Sequence, residues 1–176
     1  MTAWTLALDH WVAWAVWGLI ASALMATLLE GARLMGISRM SLPFLFGAFL
    51  TGSRRHAIAY GYLAYLLGGW LFALLYALLL GSFAGAGPWA MAGIGLLLGG
   101  LHGAVLVTVF LPCLPFVHPR LATQYDGPRS LGMIEPPGPF GLNYGRATPA
   151  TTIAAQALYG LTLGIGYGAA LQAVVT

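Results

Sequence analysis

The fold is decided by residues 88–111, which read PWAMAGIGLLLGGLHGAVLVTVFL and contain no Asp, Glu, Lys or Arg. Crossing a hydrocarbon core of about 30 Å takes roughly 20 consecutive apolar residues in a helix. Three further stretches meet the same requirement, at about residues 11–29, 57–80 and 149–174. The sequence therefore predicts an all-α fold, a four-helix transmembrane bundle that forms a single membrane domain over residues 1–176.

The composition of the whole chain supports a membrane location. Of its 176 residues, 60% are hydrophobic and only 6% are charged, and the mean hydropathy is +0.86. Soluble domains carry about 25% charged residues, so this chain cannot cover a water-facing surface with polar groups. Its single cysteine, Cys113, permits no internal disulfide. The composition excludes a soluble enzyme, a secreted disulfide scaffold, a disordered regulator and a nucleic-acid-binding domain.

The charged residues predict how the chain crosses the membrane. All seven basic residues are arginines, and all lie in the two long connections between predicted spans. Because Arg and Lys accumulate in cytoplasmic loops, we expect both connections to be cytoplasmic and both termini to lie on the outer side. The arginines are Arg33, Arg39, Arg54 and Arg55 in the first connection and Arg120, Arg129 and Arg146 in the second.

Residues 40–50, MSLPFLFGAFL, are apolar but too short to span the bilayer, a length typical of interfacial segments. We expect a short helix at the cytoplasmic surface, capped by Ser41 with Pro43 in its first turn. The arginines around this segment have two interpretations: they set the topology alone, or they hold an anionic lipid headgroup. The residues concerned are Arg33, Arg39, Arg54 and Arg55.

The second long connection, residues 112–148, is rich in proline and also in apolar side chains. A disordered linker would lack those apolar groups, so we expect an ordered loop that covers the cytoplasmic ends of the helices. His118, Arg120, Asp126 and Glu135 include an acid, a base and an anion-binding group. Their spacing matches no nucleophile elbow, metal motif or phosphate loop, so no catalytic or metal-binding residue is predicted. The residues assigned to the structure of this loop are His118, Arg120, Glu135, Asn143, Tyr144 and Arg146.

His102 is the one ionisable residue near the middle of a predicted span. Such groups are costly at that depth and are candidate functional residues. Three roles remain open: a neutral hydrogen-bonding group that meets Gln156 or a tyrosine of a neighbouring helix, the single ligand of a haem- or chlorophyll-type cofactor, and a member of a proton or substrate path. No cofactor is required by the sequence.

Glycines recur every four residues on two of the predicted spans. Small residues at this interval let membrane helices approach closely, where no hydrophobic effect drives their association. The spacing predicts helix packing, and it leaves open whether the partner helix belongs to the same chain or to another. The glycines are Gly95, Gly99 and Gly103 on the third span and Gly160, Gly164 and Gly168 on the fourth.

The second connection also carries a family resemblance. The order HPR at residues 118–120, EPPG at 135–138, LNYGR at 142–146 and TP at 148–149 resembles an uncharacterised family of small four-span bacterial membrane proteins. The resemblance covers roughly residues 47–167. It implies the four-helix topology and a bacterial inner membrane, and it implies no activity.

Three functions are compatible with these features. The first is a non-catalytic structural or accessory subunit of a larger membrane complex, or a homo-oligomer, packed through its glycine-rich helices. The second is a small transporter or channel that uses His102 and Gln156 as polar groups. The third is a haem- or chlorophyll-type cofactor binder with His102 as ligand. The expected partners are membrane lipids and other membrane subunits or further copies of the chain, and not nucleic acid.

Overall fold

The structure is a computed structural model, and it describes residues 2–121 and 133–173. In these residues the chain is helical and forms no strand, as the sequence predicts. A π-helix, Leu106–Phe110, and a 3-10 helix, Pro139–Tyr144, accompany the α-helices. The α-helices are α1 (Ala3–Asp9), α2 (Trp11–Leu34), α3 (Leu42–Leu50), α4 (Arg54–Gly81), α5 (Pro88–Val105), α6 (Leu111–Val117) and α7 (Thr148–Gln172).

Three helices are long and apolar enough to cross a membrane: Trp11–Leu34, Arg54–Gly81 and the continuous run Pro88–Val117. They correspond to the first three predicted spans. The predicted fourth span coincides with α7, which has 25 residues but is not among these three helices. Its sequence, TPATTIAAQALYGLTLGIGYGAALQ, carries threonines, tyrosines and glutamines that lower its hydropathy.

The predicted short helix is confirmed as α3. The Ser41 hydroxyl accepts a hydrogen bond from the backbone N–H of Phe44 at 3.4 Å, and Pro43 lies in the first turn. This cap is a local property of the sequence, because the Ser side chain satisfies an N–H that has no partner inside the helix. A further short helix, α1, precedes the first span and is capped in the same way by Thr2.

The third apolar helix continues beyond the point where the loop was predicted to begin. A proline such as Pro112 has no N–H and its ring crowds the carbonyl of the preceding turn. Here the backbone widens into the π-helix just before it, and the N–H of Leu111 bonds to the carbonyl of Leu106. Helical structure then runs to Val117, so the irregular part of the connection starts at His118.

The residue contacts divide the chain into two compact units, each of which takes residues from α2, α4, α5 and α7. Unit 1 has a core of small and large apolar side chains that includes Ala21, Ala73, Leu80, Met91 and Leu163. Unit 2 holds α3, the π-helix, α6 and the described part of the second connection. Unit 1 comprises Met1–Thr27, Leu66–Gly103 and Ala154–Thr176, and unit 2 comprises Leu28–Tyr65 and Ala104–Ile153.

Candidate functional site

The glycine stripes of α5 and α7 face each other within unit 1. A Cβ placed on Gly160 would lie 2.0 Å from the backbone oxygen of Gly95, and one on Gly99 would lie 2.1 Å from the backbone oxygen of Gln156. A Cβ on Gly164 would lie 2.4 Å from the backbone oxygen of Met91. The two backbones are therefore in direct contact, at a distance that only glycine permits. Of the other predicted packing glycines, Gly168 lies against the Met91 side chain and Gly103 is buried.

His102 is held by α4 in unit 1. Its Nδ1 lies 3.2 Å from the hydroxyl of Tyr76, and its ring stacks on Phe72 with ring centroids 4.9 Å apart. This is the hydrogen bond to a tyrosine of a neighbouring helix that was the first of its three possible roles. The Nε2 atom makes no hydrogen bond to the residues that the structure describes. Sequence reasoning did not single out Tyr76 or Phe72, because the chain offers many aromatic residues and no spacing marks these two.

Other polar side chains of unit 1 connect one helix to the next. The Tyr159 hydroxyl on α7 donates to the backbone oxygen of Gly69 on α4 at 2.5 Å. The indole N–H of Trp70 on α4 donates to the backbone oxygen of Ala15 on α2 at 3.1 Å. At the end of α7, the amide of Gln172 donates to two carbonyls of the short turn between α4 and α5, those of Ala84 and Ala86. Each bond links segments that lie far apart in the sequence.

Gln156, the polar partner proposed for His102, is 4% exposed. Its Oε1 is buried and has no hydrogen-bond partner among residues 2–121 and 133–173. The hydrogen bond of His102 goes to Tyr76 instead. A buried acceptor without a partner is costly, and Gln156 is in this respect unlike the bonded polar residues of unit 1.

In unit 2, the HPR sequence closes the carboxyl end of α3. The buried His118 has Nε2 at 3.0 Å from the Leu45 carbonyl, while its Nδ1 accepts the backbone N–H of Arg120 at 3.1 Å. The proton of the neutral ring therefore lies on Nε2. The Arg120 guanidinium donates to the carbonyls of Ala48 and Phe49. These carbonyls have no partner within the helix and carry the negative end of its dipole, so the arginine satisfies both needs.

This arrangement predicts a pH dependence. Burial lowers the pKa of His118, and the Arg120 charge lowers it further, against the hydrogen bond to Leu45, which raises it. Between the lowered pKa and the ordinary value of about 6.5, the unfolded chain binds more protons than the folded one, so acid favours unfolding. We expect the detergent-solubilised protein to keep its stability above about pH 6.5 and to lose stability as the pH falls from there through the lowered pKa.

Chemical unfolding at pH 7.5, 6.0 and 5.0 measures this effect. His118→Gln removes the titrating group and flattens the dependence, whereas His56→Gln, at an exposed position, leaves it intact. Equal unfolding midpoints at all three pH values in the unsubstituted protein would contradict the assignment.

Two of the four arginines considered for lipid headgroups are engaged within unit 2. Arg33 pairs with Glu30 at 2.6 Å, and Arg39 lies 3.5 Å from a carboxylate oxygen of Glu135 and also donates to the backbone oxygen of Asn143. Arg54 and Arg55 are exposed and make no ion pair with any carboxylate that the structure describes.

The remaining loop residues form a compact turn around the 3-10 helix. The Tyr144 hydroxyl donates to the backbone oxygen of Glu135 at 2.5 Å, and burial raises its pKa, so the donor stays protonated. The Asn143 amide donates to the backbone oxygen of Pro136 at 3.0 Å. Arg146 is exposed. Asp126 and Arg129, two further charges of this connection, lie outside the described residues, as does the stretch 122–132 that contains them.

Sequence reasoning missed one buried polar contact and one carboxylate in unit 2. The hydroxyls of Ser38 and Thr148 lie 2.8 Å apart, and both side chains are buried. Glu30 receives hydrogen bonds from Arg33 and from the hydroxyl of Ser41, the residue that caps α3. Only the position of Glu30, one turn before Arg33, offered a signal. Among the described residues, no three His, Cys, Asp or Glu side chains come together as a metal site.

Comparison with protein-family models, with curated proteins and with solved structures found no match to this chain. The resemblance to four-span bacterial membrane proteins therefore stays a prediction from the loop residues.

Proposed function

We propose that the protein is a non-catalytic integral membrane protein that acts as a structural or accessory subunit of a larger membrane assembly. The observation that carries the proposal is the use made of polar groups in unit 1. Tyr76, Trp70 and Tyr159 bond to helices of the same chain. Polar side chains that tie helices together suit a scaffold, since a path for a polar substrate needs polar groups directed into a passage.

The glycine stripes change where association is expected. Because Gly95 and Gly99 already pack on α7, they are occupied within the chain. Exposed leucines are the better candidates for contact with another subunit. A row of these lies on the unit 1 part of α4 at intervals of four residues, which places them on one side of the helix. They are Leu67, Leu71, Leu75 and Leu79, with 48%, 63%, 47% and 41% of their surface exposed.

The proposed topology has four spans in a bacterial inner membrane, with both arginine-bearing connections in the cytoplasm. Helix α7 supports the fourth span by its length, since 25 residues extend about 37 Å at 1.5 Å per residue. Its many buried residues explain its modest hydropathy: a helix surrounded by other helices needs fewer lipid-soluble side chains than one that faces lipid.

The test is gentle solubilisation from native membranes, followed by size determination and protein identification on the same chromatographic peak. We expect a particle well above the 18.5 kDa of one chain plus its detergent, with a second protein or further copies of this chain at a fixed ratio. Leu71→Ala with Leu75→Ala reduces the share of large particle, whereas Val12→Ala with Val16→Ala, an equal truncation of exposed side chains on α2, does not. A single chain alone in the peak, in every mild detergent, contradicts the proposal.

A second candidate function has one specific observation in its favour. The Nδ1 of His102 is bonded to Tyr76 and its ring is fixed against Phe72, an arrangement that orients Nε2 as a metal ligand would require. A haem- or chlorophyll-type cofactor bound there would colour the same peak. His102→Ala abolishes the visible band if the imidazole is the ligand, and a colourless peak from native membranes removes this candidate.

A further inference from the structure

An apolar groove lies in unit 2, between α3 and the end of the third apolar helix. It holds about 180 Å³ of open space. All its lining side chains are hydrocarbon or aromatic, so the groove offers no polar partner to water and matches a hydrocarbon chain. They are Leu42, Leu45, Phe46 and Phe49 from α3, Phe110 from the π-helix and Leu114 from α6.

One rim of this groove carries a fixed positive charge. Phe49, which lines the groove, packs edge-on against His118 with ring centroids 4.3 Å apart. The carbonyls of Phe49 and its neighbour Ala48 accept hydrogen bonds from the Arg120 guanidinium. The side chain of Arg120 is thus held beside the groove, and it forms no ion pair with any carboxylate that the structure describes.

Two more arginines follow at the same rim. The chain leaves α3 after Leu50 and passes Arg120, because a Cβ placed on Gly52 would lie 3.4 Å from the Nε of Arg120. Arg54 and Arg55 come immediately afterwards, at the start of α4, and both are exposed. In the described part of unit 2 neither has a carboxylate partner. An apolar groove therefore ends at a group of cationic side chains whose charge is not neutralised nearby.

We propose that this groove binds one anionic phospholipid, with an acyl chain against Leu45 and Leu114 and the headgroup phosphate on Arg54, Arg55 and Arg120. Guanidinium groups form charge-assisted, often paired hydrogen bonds to phosphate oxygens. The groove lies where the third apolar helix ends, the level at which acyl chains meet headgroups in a bilayer. The proposal requires insertion in a membrane, but it does not depend on the accessory role, since a free monomer would carry the same site.

The test uses the full-length chain in a mild detergent, supplied with equal concentrations of phosphatidylglycerol and phosphatidylcholine, with bound lipid counted by native mass spectrometry. We expect one phosphatidylglycerol to stay bound under conditions that strip phosphatidylcholine. Arg54→Gln and Arg55→Gln each lower its retention about fivefold, in keeping with the contribution of one arginine near an anionic headgroup. Arg146→Gln removes an equal, exposed charge from another part of unit 2 and leaves retention unchanged.

The acyl chain is tested separately, with the unsubstituted protein. Inorganic phosphate or glycerol phosphate at the lipid concentration should leave bound phosphatidylglycerol in place, and Leu114→Phe, which fills the groove, should lower retention. Displacement by either soluble phosphate would show an anion site without a lipid and would overturn the proposal. Equal retention of the two phospholipids, or loss of retention in Arg146→Gln to the same degree as in Arg55→Gln, would overturn it as well.

Discussion

Gly99→Ala is expected to lower the free energy of unfolding by about 1–3 kcal/mol, the usual cost of forcing extra atoms into a well-packed interior. The added methyl would lie 2.1 Å from the backbone oxygen of Gln156, so α5 and α7 would have to separate. Backbone atoms cannot move aside as the end of a long side chain can. The separation would also weaken the adjoining contacts of Gly95 and Gly160.

The neighbouring residue supplies the matched control. A Cβ on Gly100 would meet nothing within 4 Å, and alanine is favoured over glycine in a helix by roughly 1 kcal/mol. Gly100→Ala should therefore leave stability unchanged or raise it slightly. Denaturant titration in mixed micelles, followed by circular dichroism, compares the two variants. Equal effects of the two substitutions would contradict the contact between α5 and α7.

Arg120→Ala is expected to destabilise unit 2 by about 1.5–3 kcal/mol, the range for hydrogen bonds to a charged group. It leaves the carbonyls of Ala48 and Phe49 without their donor at the carboxyl end of α3. Arg146→Ala, at an exposed site in the same unit, should cost little. Amide exchange in the last turn of α3 locates the effect, because Arg120→Ala should raise exchange there and Arg146→Ala should not. Unchanged exchange in both variants would show that Arg120 does not hold this helix end.

Local signals were sufficient to predict several elements of the fold. Ser41 and Pro43 predicted the start of α3 within a residue, because a cap depends only on side chains within the first turn. Thr148-Pro149 predicted the start of α7 in the same way, and the absence of charge predicted three helices of membrane length. These properties require no knowledge of distant parts of the chain.

The identity of contacting partners could not be predicted. The interval of Gly95 and Gly99 indicates close helix contact, but it is the same whether the partner is in the chain or outside it. His102 was expected to meet Gln156 or a tyrosine, and nothing in the sequence distinguishes Tyr76 from the other tyrosines. Likewise, Arg120 and Ala48 are 72 residues apart. Such pairs are set by how the helices pack, and no short-range pattern records this.

The π-helix before Pro112 has a consequence for how this chain aligns with others. A π-turn accommodates one more residue than an α-turn, and each residue of an α-helix advances about 100° around its axis. Residues after Phe110 therefore point in directions that a continuous α-helix from Val105 would assign to their neighbours in sequence. In evolutionary terms the segment is equivalent to a one-residue insertion. A homologous chain lacking one residue between Val105 and Leu111 could run straight there and still direct the counterparts of Leu111 and Leu114 to the same side.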